Sequence, residues 1–276
     1  MPELPEVETV ARGLEAALKG DRFTKVELRR PDLRFPFADD FVDRLTGRTV
    51  VDVSRRAKYA LIYLDDDTVM ICHLGMSGSF RIYPTKPGAP DKHDHVLFET
   101  ENGMWVRYHD PRRFGFLLLT TREALWDHPT FQNMGPEPLG NEFSGPVLAE
   151  RLGDRKSPIK TAILDQKVVA GVGNIYACEA LFRSGISPKR QANTIKGARA
   201  EKLATAIRQV LAEAIESGGS TLRNYAHTDG ELGYFQHRFQ VYDHEGDPCA
   251  NPDCGKPIKR LVQSGRSTFY CSTCQR

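Results

Sequence analysis

The four cysteines near the end of this chain constrain its folding more than any other feature. They fall as Cys249-x4-Cys254 and Cys271-x2-Cys274, sixteen residues apart, within PCANPDCGKPIKRLVQSGRSTFYCSTCQR. Neither a basic nor an apolar signal segment opens the chain, which points to a reducing cytosol and to metal binding over disulfides. Two close thiolate pairs joined by a folded segment supply the tetrahedron that zinc prefers. PIKRLV and STFY flank QSGR and read as a β-hairpin with its tip near Gly265 and Arg266. The spacing predicts one structural zinc held by Cys249, Cys254, Cys271 and Cys274. Cys72 and Cys178 stand alone in apolar surroundings and read as core residues.

Upstream, the hydrophobic period changes twice. Val7, Val10, Leu14 and Leu18 recur at helical spacing after Pro5, and Gly20 ends the run. Period-two patterning follows in FTKVELRR, TVVDVSRRAKYALIYL, TVMICHLGMSGSFRIYP, HDHVLFET, GMWVRYHD and FGFLLLTT. So many strands before residue 121 imply an antiparallel sandwich or barrel carrying the N-terminal helix. FQNMGPEPLGNEFSGP (131–146) reads as a boundary or linker. Helical spacing then returns in GPVLAERL, SPIKTAILD, NIYACEALFRSG and ARAEKLATAIRQVLAEAIESGG, the last stopped by two glycines.

Hydrophobic residues make up 40% of the 276 and the net charge is +2, which describes an ordinary soluble protein, and no uninterrupted apolar run approaches the length of a membrane span. Charge is unevenly spread: residues 151–202 hold eleven Lys/Arg against four Asp/Glu, whereas residues 1–150 hold nineteen against twenty-four. That asymmetry suggests a local surface for phosphate or another anion.

Several motifs could carry chemistry. The opening MPELPEVETV reads first as a helix start, with proline in the first turn and carboxylates facing the positive end of the dipole. In DQKVVAGVGNIYACEALF, the glycines give a tight turn and Asn174 is placed to cap a helix beginning at Ile175, a ready phosphate site. Arg155, Lys156 and Lys160 lie just upstream. HDPRRFGF joins Arg112 and Arg113 to Phe114, which suits either an aromatic wedge between bases or a surface turn with a half-buried Phe. HLGMSGSF sets Met76 on a glycine-flanked loop tip. RRAKYA places Lys58 in a strand, where a lysine ordinarily faces solvent. In KHDHV no third ligand has suitable spacing for a metal; His93 reads as a phosphate donor or as a surface histidine.

Taken together, PELPEVE, RRAKY, HLGMSG, KHDHV, DPRRFG, GPEPL, VVAGVGNIYACEALF, GGSTLR and the four-cysteine hairpin resemble, in order and over the whole chain, the bacterial formamidopyrimidine-DNA glycosylases. The resemblance implies an α+β multidomain protein. Residues 1–130 would form an antiparallel β-sandwich with a leading helix, 131–239 a helix–two-turns–helix domain, and 240–276 a β-hairpin zinc finger. It implies a monomeric cytoplasmic enzyme, nucleoid-associated when bound, that excises oxidised purines from double-stranded DNA and cleaves the strand by β,δ-elimination. With Met1 removed, the secondary amine of Pro2 becomes the nucleophile; a terminal amine is partly unprotonated near neutral pH, whereas an amide nitrogen is neither basic nor nucleophilic. The resemblance makes Glu3 the general acid/base at the sugar ring oxygen and Glu6 a wall of the same pocket. Lys58 and Arg266 would assist the elimination steps. Met76, Arg112 and Phe114 would fill the gap left by the extruded nucleotide. His93, Arg155, Lys156, Lys160 and Asn174 would grip the backbone, and the segment holding Ser220, Arg223 and Tyr225 would close over the flipped base.

Two features set this chain apart. The family's usual first zinc pair is Cys-x2-Cys, so the x4 spacing implies a looser first knuckle. The loop TLRNYAHTDGELGY leaves the lesion preference open. An endonuclease VIII-like enzyme would typically begin PEGPE, and Leu4 fits the formamidopyrimidine type instead. A DNA-binding zinc-finger protein without activity has no use for Pro2, Glu3, Lys58 and Arg266 together.

Overall fold

A computed structural model of the chain describes residues 2–220 and 234–276. The chain divides into two compact units, residues 1–132 with 217–234, and residues 133–216 with 235–276.

The first unit opens with α1 (Leu4–Leu18), started by a reciprocal capping box in which Glu3 takes the N-cap and Glu6 the third helical position. Leu4, Val7, Val10, Ala11, Leu14 and Leu18 form its buried stripe, as the helical spacing requires. Eight strands follow: β1 (Phe23–Leu28), β2 (Val50–Arg56), β3 (Tyr59–Leu64), β4 (Thr68–His73), β5 (Ser79–Tyr83), β6 (Asp94–Thr100), β7 (Trp105–His109) and β8 (Phe116–Thr121). They form two antiparallel four-stranded sheets, ordered β1-β6-β7-β5 and β2-β3-β4-β8. One hydrophobic core draws on both sheets and on the helix, through Val10 and Leu14 of α1, Phe23, Phe98 and Phe80 of one sheet, and Ile62, Met70 and Leu117 of the other. This is the expected sandwich with its leading helix. A short α2 (Phe41–Leu45) has no clear sequence period; it is fixed by burial of Phe41 and Leu45 at its two ends.

Two sequence expectations need correction here. The run TVVDVSRRAKYALIYL is a hairpin of β2 and β3, so Lys58 sits in the connecting turn beside Ala57, whose φ is +52°. There Lys58 is 7% exposed rather than turned to solvent. The antiparallel register Arg56↔Tyr59 leaves only the two turn residues between strands, and closing so tight a turn forces the positive φ.

The second unit holds α3 (Gly145–Leu152), α4 (Ile159–Ile163), α5 (Asn174–Arg183), α6 (Ala198–Glu216) and the hairpin of β9 (Lys259–Gln263) and β10 (Arg266–Tyr270). α6 packs on α3 and α5 through Leu203, Ile207, Val210 and Leu211, each fully buried. The hairpin turns on Ser264 (φ +48°) and Gly265 (φ +73°), as its sequence predicts. Inside this unit the fully buried carboxylate of Glu179, on α5, accepts the successive backbone N–H groups of Gln240, Val241 and Tyr242 at 2.9–3.1 Å. A buried charge is tolerated only when it is hydrogen-bonded in this way. Among the described residues no helix is long and apolar enough to cross a membrane.

Candidate functional site

In the first unit, one carboxylate organises the chain's N-terminal residues. Pro2 and Glu3 are buried at the start of α1, with Glu3 3% and Glu6 2% exposed. Glu6 Oε2 accepts the backbone N–H of Glu3 at 2.8 Å. Its Oε1 accepts both the backbone N–H and the hydroxyl of Ser220 at 2.9 Å. Glu6 thus holds Glu3 with one oxygen and the first residue of the 220s segment with the other. Gly219 makes this approach possible: its φ is +79°, and a Cβ there would lie 3.2 Å from Glu6 Cγ. Arg223 and Tyr225, like Met1, lie outside the described residues.

Farther along α1, Glu8 pairs with Arg55 of β2 at 2.8 Å, and Arg55 also donates to the carbonyl of Ala57 at 2.9 Å. That guanidinium braces the turn that carries Lys58. The neighbouring His73, at the end of β4, forms a three-ring cluster with Tyr59 (4.9 Å) and Phe116 (5.0 Å), which also meet each other at 6.2 Å. Its Nδ1 accepts the Gly75 N–H at 3.2 Å. Burial first, then the positive charges of Lys58 and Arg34, push its pKa down to about 4. His73 is therefore neutral at pH 7 and keeps its Nε2–H as a donor.

Met76 and Phe114 are among the few large apolar side chains left exposed, at 40% and 47%. Their loops are locked together. Gly75 (φ +60°) lies so close to the Phe114–Gly115 backbone that an added Cβ would meet the Phe114 carbonyl carbon at 2.3 Å. Asp110, fully buried, receives the Ser77 hydroxyl at 2.5 Å, the Gly115 N–H at 2.9 Å and the Arg112 N–H at 3.3 Å. The Arg112 guanidinium stacks on the Phe114 ring at 4.8 Å. Phe35, 44% exposed, joins this end of the sandwich through its ring contact with Phe116 and the Arg34 N–H to Gly115 carbonyl bond at 3.2 Å. Half-buried His93 joins this group through its backbone, its carbonyl accepting the Asp110 N–H at 3.0 Å. It sits edge-on to His109 at 5.8 Å, on the loop that Asp94 closes.

In the second unit Asn174 is the first residue of α5, and the cap is Gly173, which corrects the expected capping role. Its side chain is occupied elsewhere: Oδ1 accepts from Lys160 Nζ at 2.5 Å and Nδ2 donates to the Ser267 carbonyl at 3.0 Å. That bond ties α5 to the hairpin strand beginning at the exposed Arg266. Lys160 is 0% exposed, so its charge lies beneath Asn174 rather than on the surface. Arg155 and Lys156 are exposed, with Arg155 3.4 Å from Asp165.

The cysteines converge as the spacing demands. All four Sγ atoms lie within 4.8 Å of one another, with Cys249 to Cys274 at 3.8 Å and Cys254 to Cys271 at 3.6 Å. A tetrahedron of Zn–S bonds of about 2.3 Å has edges of roughly 3.8 Å, so the four sulfurs stand within about 1 Å of the spacing the ion sets.

Sequence reasoning quoted His73 and Asp110 inside motifs yet gave them no role, and passed over Phe35. The signal for Asp110 was slight: an acid before Pro-Arg-Arg reads as a turn residue until its burial is known.

Residues 1–117 match the formamidopyrimidine-DNA glycosylase N-terminal domain, 134–226 the H2TH domain of the same enzymes, and 246–276 the zinc finger found in FPG and IleRS. The chain is 55% identical over 288 aligned positions to the formamidopyrimidine-DNA glycosylase of Beijerinckia indica, covering 100% of both chains. Among solved structures it resembles the MutM (Fpg) protein of Thermus thermophilus, at 41% identity and TM-score 0.88 over 99% of this chain and 98% of that one. It also resembles Lactococcus lactis Fpg in complex with DNA containing N7-benzyl-Fapy-dG, at 33% identity and TM-score 0.90 over 100% of both chains. With the zinc-finger match added to the sulfur geometry, the four thiolates hold one structural zinc.

Proposed function

The chain belongs to the formamidopyrimidine-DNA glycosylase family, and from that membership we propose how its own residues divide the work. The protein is a base-excision repair enzyme that removes oxidised purines, 8-oxoguanine and formamidopyrimidines, from damaged double-stranded DNA. It acts as a monomer in the cytoplasm, at the nucleoid when bound.

Pro2, freed of Met1, attacks C1′ of the damaged nucleotide; the C1′–N glycosidic bond breaks and its electron pair leaves with the base. Glu3 protonates the ring oxygen, the sugar opens, and loss of the proton from Pro2 nitrogen leaves an iminium between that nitrogen and C1′. Loss of a C2′ proton then expels the 3′ phosphate, and a second elimination expels the 5′ phosphate. Lys58 and Arg266 serve these steps beside the departing phosphates. Met76, Arg112 and Phe114 occupy the gap left in the stack, where unstacking costs about a few kcal/mol. His93, Arg155, Lys156 and Asn174 hold the backbone, Lys160 acts through Asn174, and Ser220, Arg223 and Tyr225 close over the base. Residues 1–130 carry the chemistry, 131–239 the main grip, and 240–276 the finger.

The observation that carries this reading is the Glu6 carboxylate, which fixes Glu3 and Ser220 together at the chain's reactive end. Borohydride should trap the mature protein covalently on duplex DNA containing 8-oxoguanine opposite cytosine. Pro2→Gly, or retained Met1, should abolish most trapping while leaving DNA affinity within about threefold of wild type. Equal loss of both would make Pro2 a structural residue, and no trapping by protein shown by mass to lack Met1 would sink the enzymatic reading.

A further inference from the structure

The first cysteine knuckle has four residues between its ligands, and one of them, Asn251, is engaged from both ends. Its backbone N–H donates to Cys249 Sγ. Its side-chain Nδ2 donates to Cys274 Sγ at 3.5 Å. Oδ1 accepts the Asp253 N–H at 3.2 Å, closing an Asx turn, and the Asn251 carbonyl accepts the Cys254 N–H at 3.0 Å. One residue thus touches a sulfur of each cysteine pair.

The two sulfurs of the second knuckle are served differently. Cys271 Sγ receives the backbone N–H groups of Thr273 and Cys274, which come with the turn itself. Cys274 takes its N–H from a side chain. It also lines an open cleft of about 1050 Å³ beside Arg183, Lys202 and Ala250, formed by the end of α5, one face of α6 and the first knuckle. A thiolate lining such a cleft is a ligand that a chelator or electrophile can reach. A hydrogen bond to sulfur withdraws charge from it, so the thiolate becomes a weaker nucleophile and a better-oriented ligand.

We infer that Asn251 is a positioning residue of the zinc centre, whose side-chain N–H holds and shields the Cys274 thiolate and slows loss of the metal. The role is independent of catalysis, and its readout is the metal. Zinc release from the full-length, zinc-loaded protein is followed with a chromogenic chelator, alone and with iodoacetamide. Asn251→Ala removes both the turn acceptor and the sulfur donor. Asn251→Ser keeps a neutral oxygen for the Asp253 N–H but is too short to reach Cys274. Both variants should release zinc about tenfold faster than wild type, the scale typical of lost outer-shell partners. In cobalt-substituted protein, the thiolate-to-metal charge-transfer band should move to lower energy in both. If Asn251→Ser releases zinc as slowly as wild type with an unmoved band, Asn251 only shapes the turn and the inference is overturned. Wild-type behaviour of both variants overturns it equally.

Discussion

Glu6 shows how much rests on single residues in this enzyme. Its one carboxylate accepts the Glu3 N–H and both donors of Ser220. Glu6→Gln keeps the shape but turns one acceptor into a donor, so a buried N–H or O–H faces an NH₂ group. The expected cost is about 1–3 kcal/mol in thermal or denaturant unfolding, together with a trapping rate at least tenfold lower. An unchanged trapping rate would mean that Glu3 is positioned by something else. His73 offers a pH test. Its folded pKa of about 4 lies below the ordinary 6.5, so the folded protein takes up its proton later than the unfolded chain does. The stability it contributes is complete above pH 6.5 and is lost as pH falls through 4, to a total of roughly 3 kcal/mol. His73→Phe keeps a ring packed against Tyr59 and Phe116 and should flatten the fall in unfolding temperature over that range. A variant as acid-sensitive as wild type would assign the loss to other groups.

At the scale of elements, the loops carrying Met76 and Phe114 behave as one unit because their backbones touch. Gly75→Ala would push a Cβ into the Phe114–Gly115 peptide, and neither loop has a flexible side chain at that point to yield. The variant should lose about 2–4 kcal/mol of stability, or displace the wedge and lose excision of 8-oxoguanine while cleavage of a preformed abasic site persists. Wild-type stability with wild-type excision would contradict the contact. The helix starting at Leu4 was legible from its apolar spacing and from Glu3 and Glu6. The turn at Lys58 was not, because a tight hairpin leaves no glycine or proline to mark it when Ala57 itself takes the positive φ. Asn174 carried the letters of a cap, yet its side chain is drawn away by Lys160 and Ser267, which no local pattern encodes.

For the molecule as a whole, charge distribution matters more than net charge. A net charge of +2 would barely attract DNA, so affinity must come from local cations and weaken steeply with salt as counterions are released. Lys156→Ala, which removes an exposed cation, should lower the slope of log affinity against log salt by about one. Lys160→Met removes a buried one and should change stability and the hold on Asn174 more than a direct phosphate contact. A flat salt dependence would contradict placing the 151–202 block against DNA.

The sequence by itself determined the sandwich, the helical segments, the zinc hairpin and the family, because these depend on hydrophobic period, turn residues and thiol spacing, all local or repeated in order along the chain. Only the tertiary structure decided which polar groups are buried and whom they meet. It set Lys58 into a turn, sank Lys160 beneath Asn174, gave Asp110 three donors from its own loop and the neighbouring one, and brought Ser220 to Glu6 across more than two hundred residues. Those pairings are forced by the desolvation cost of an unsatisfied polar group, which acts only once the core has closed around it.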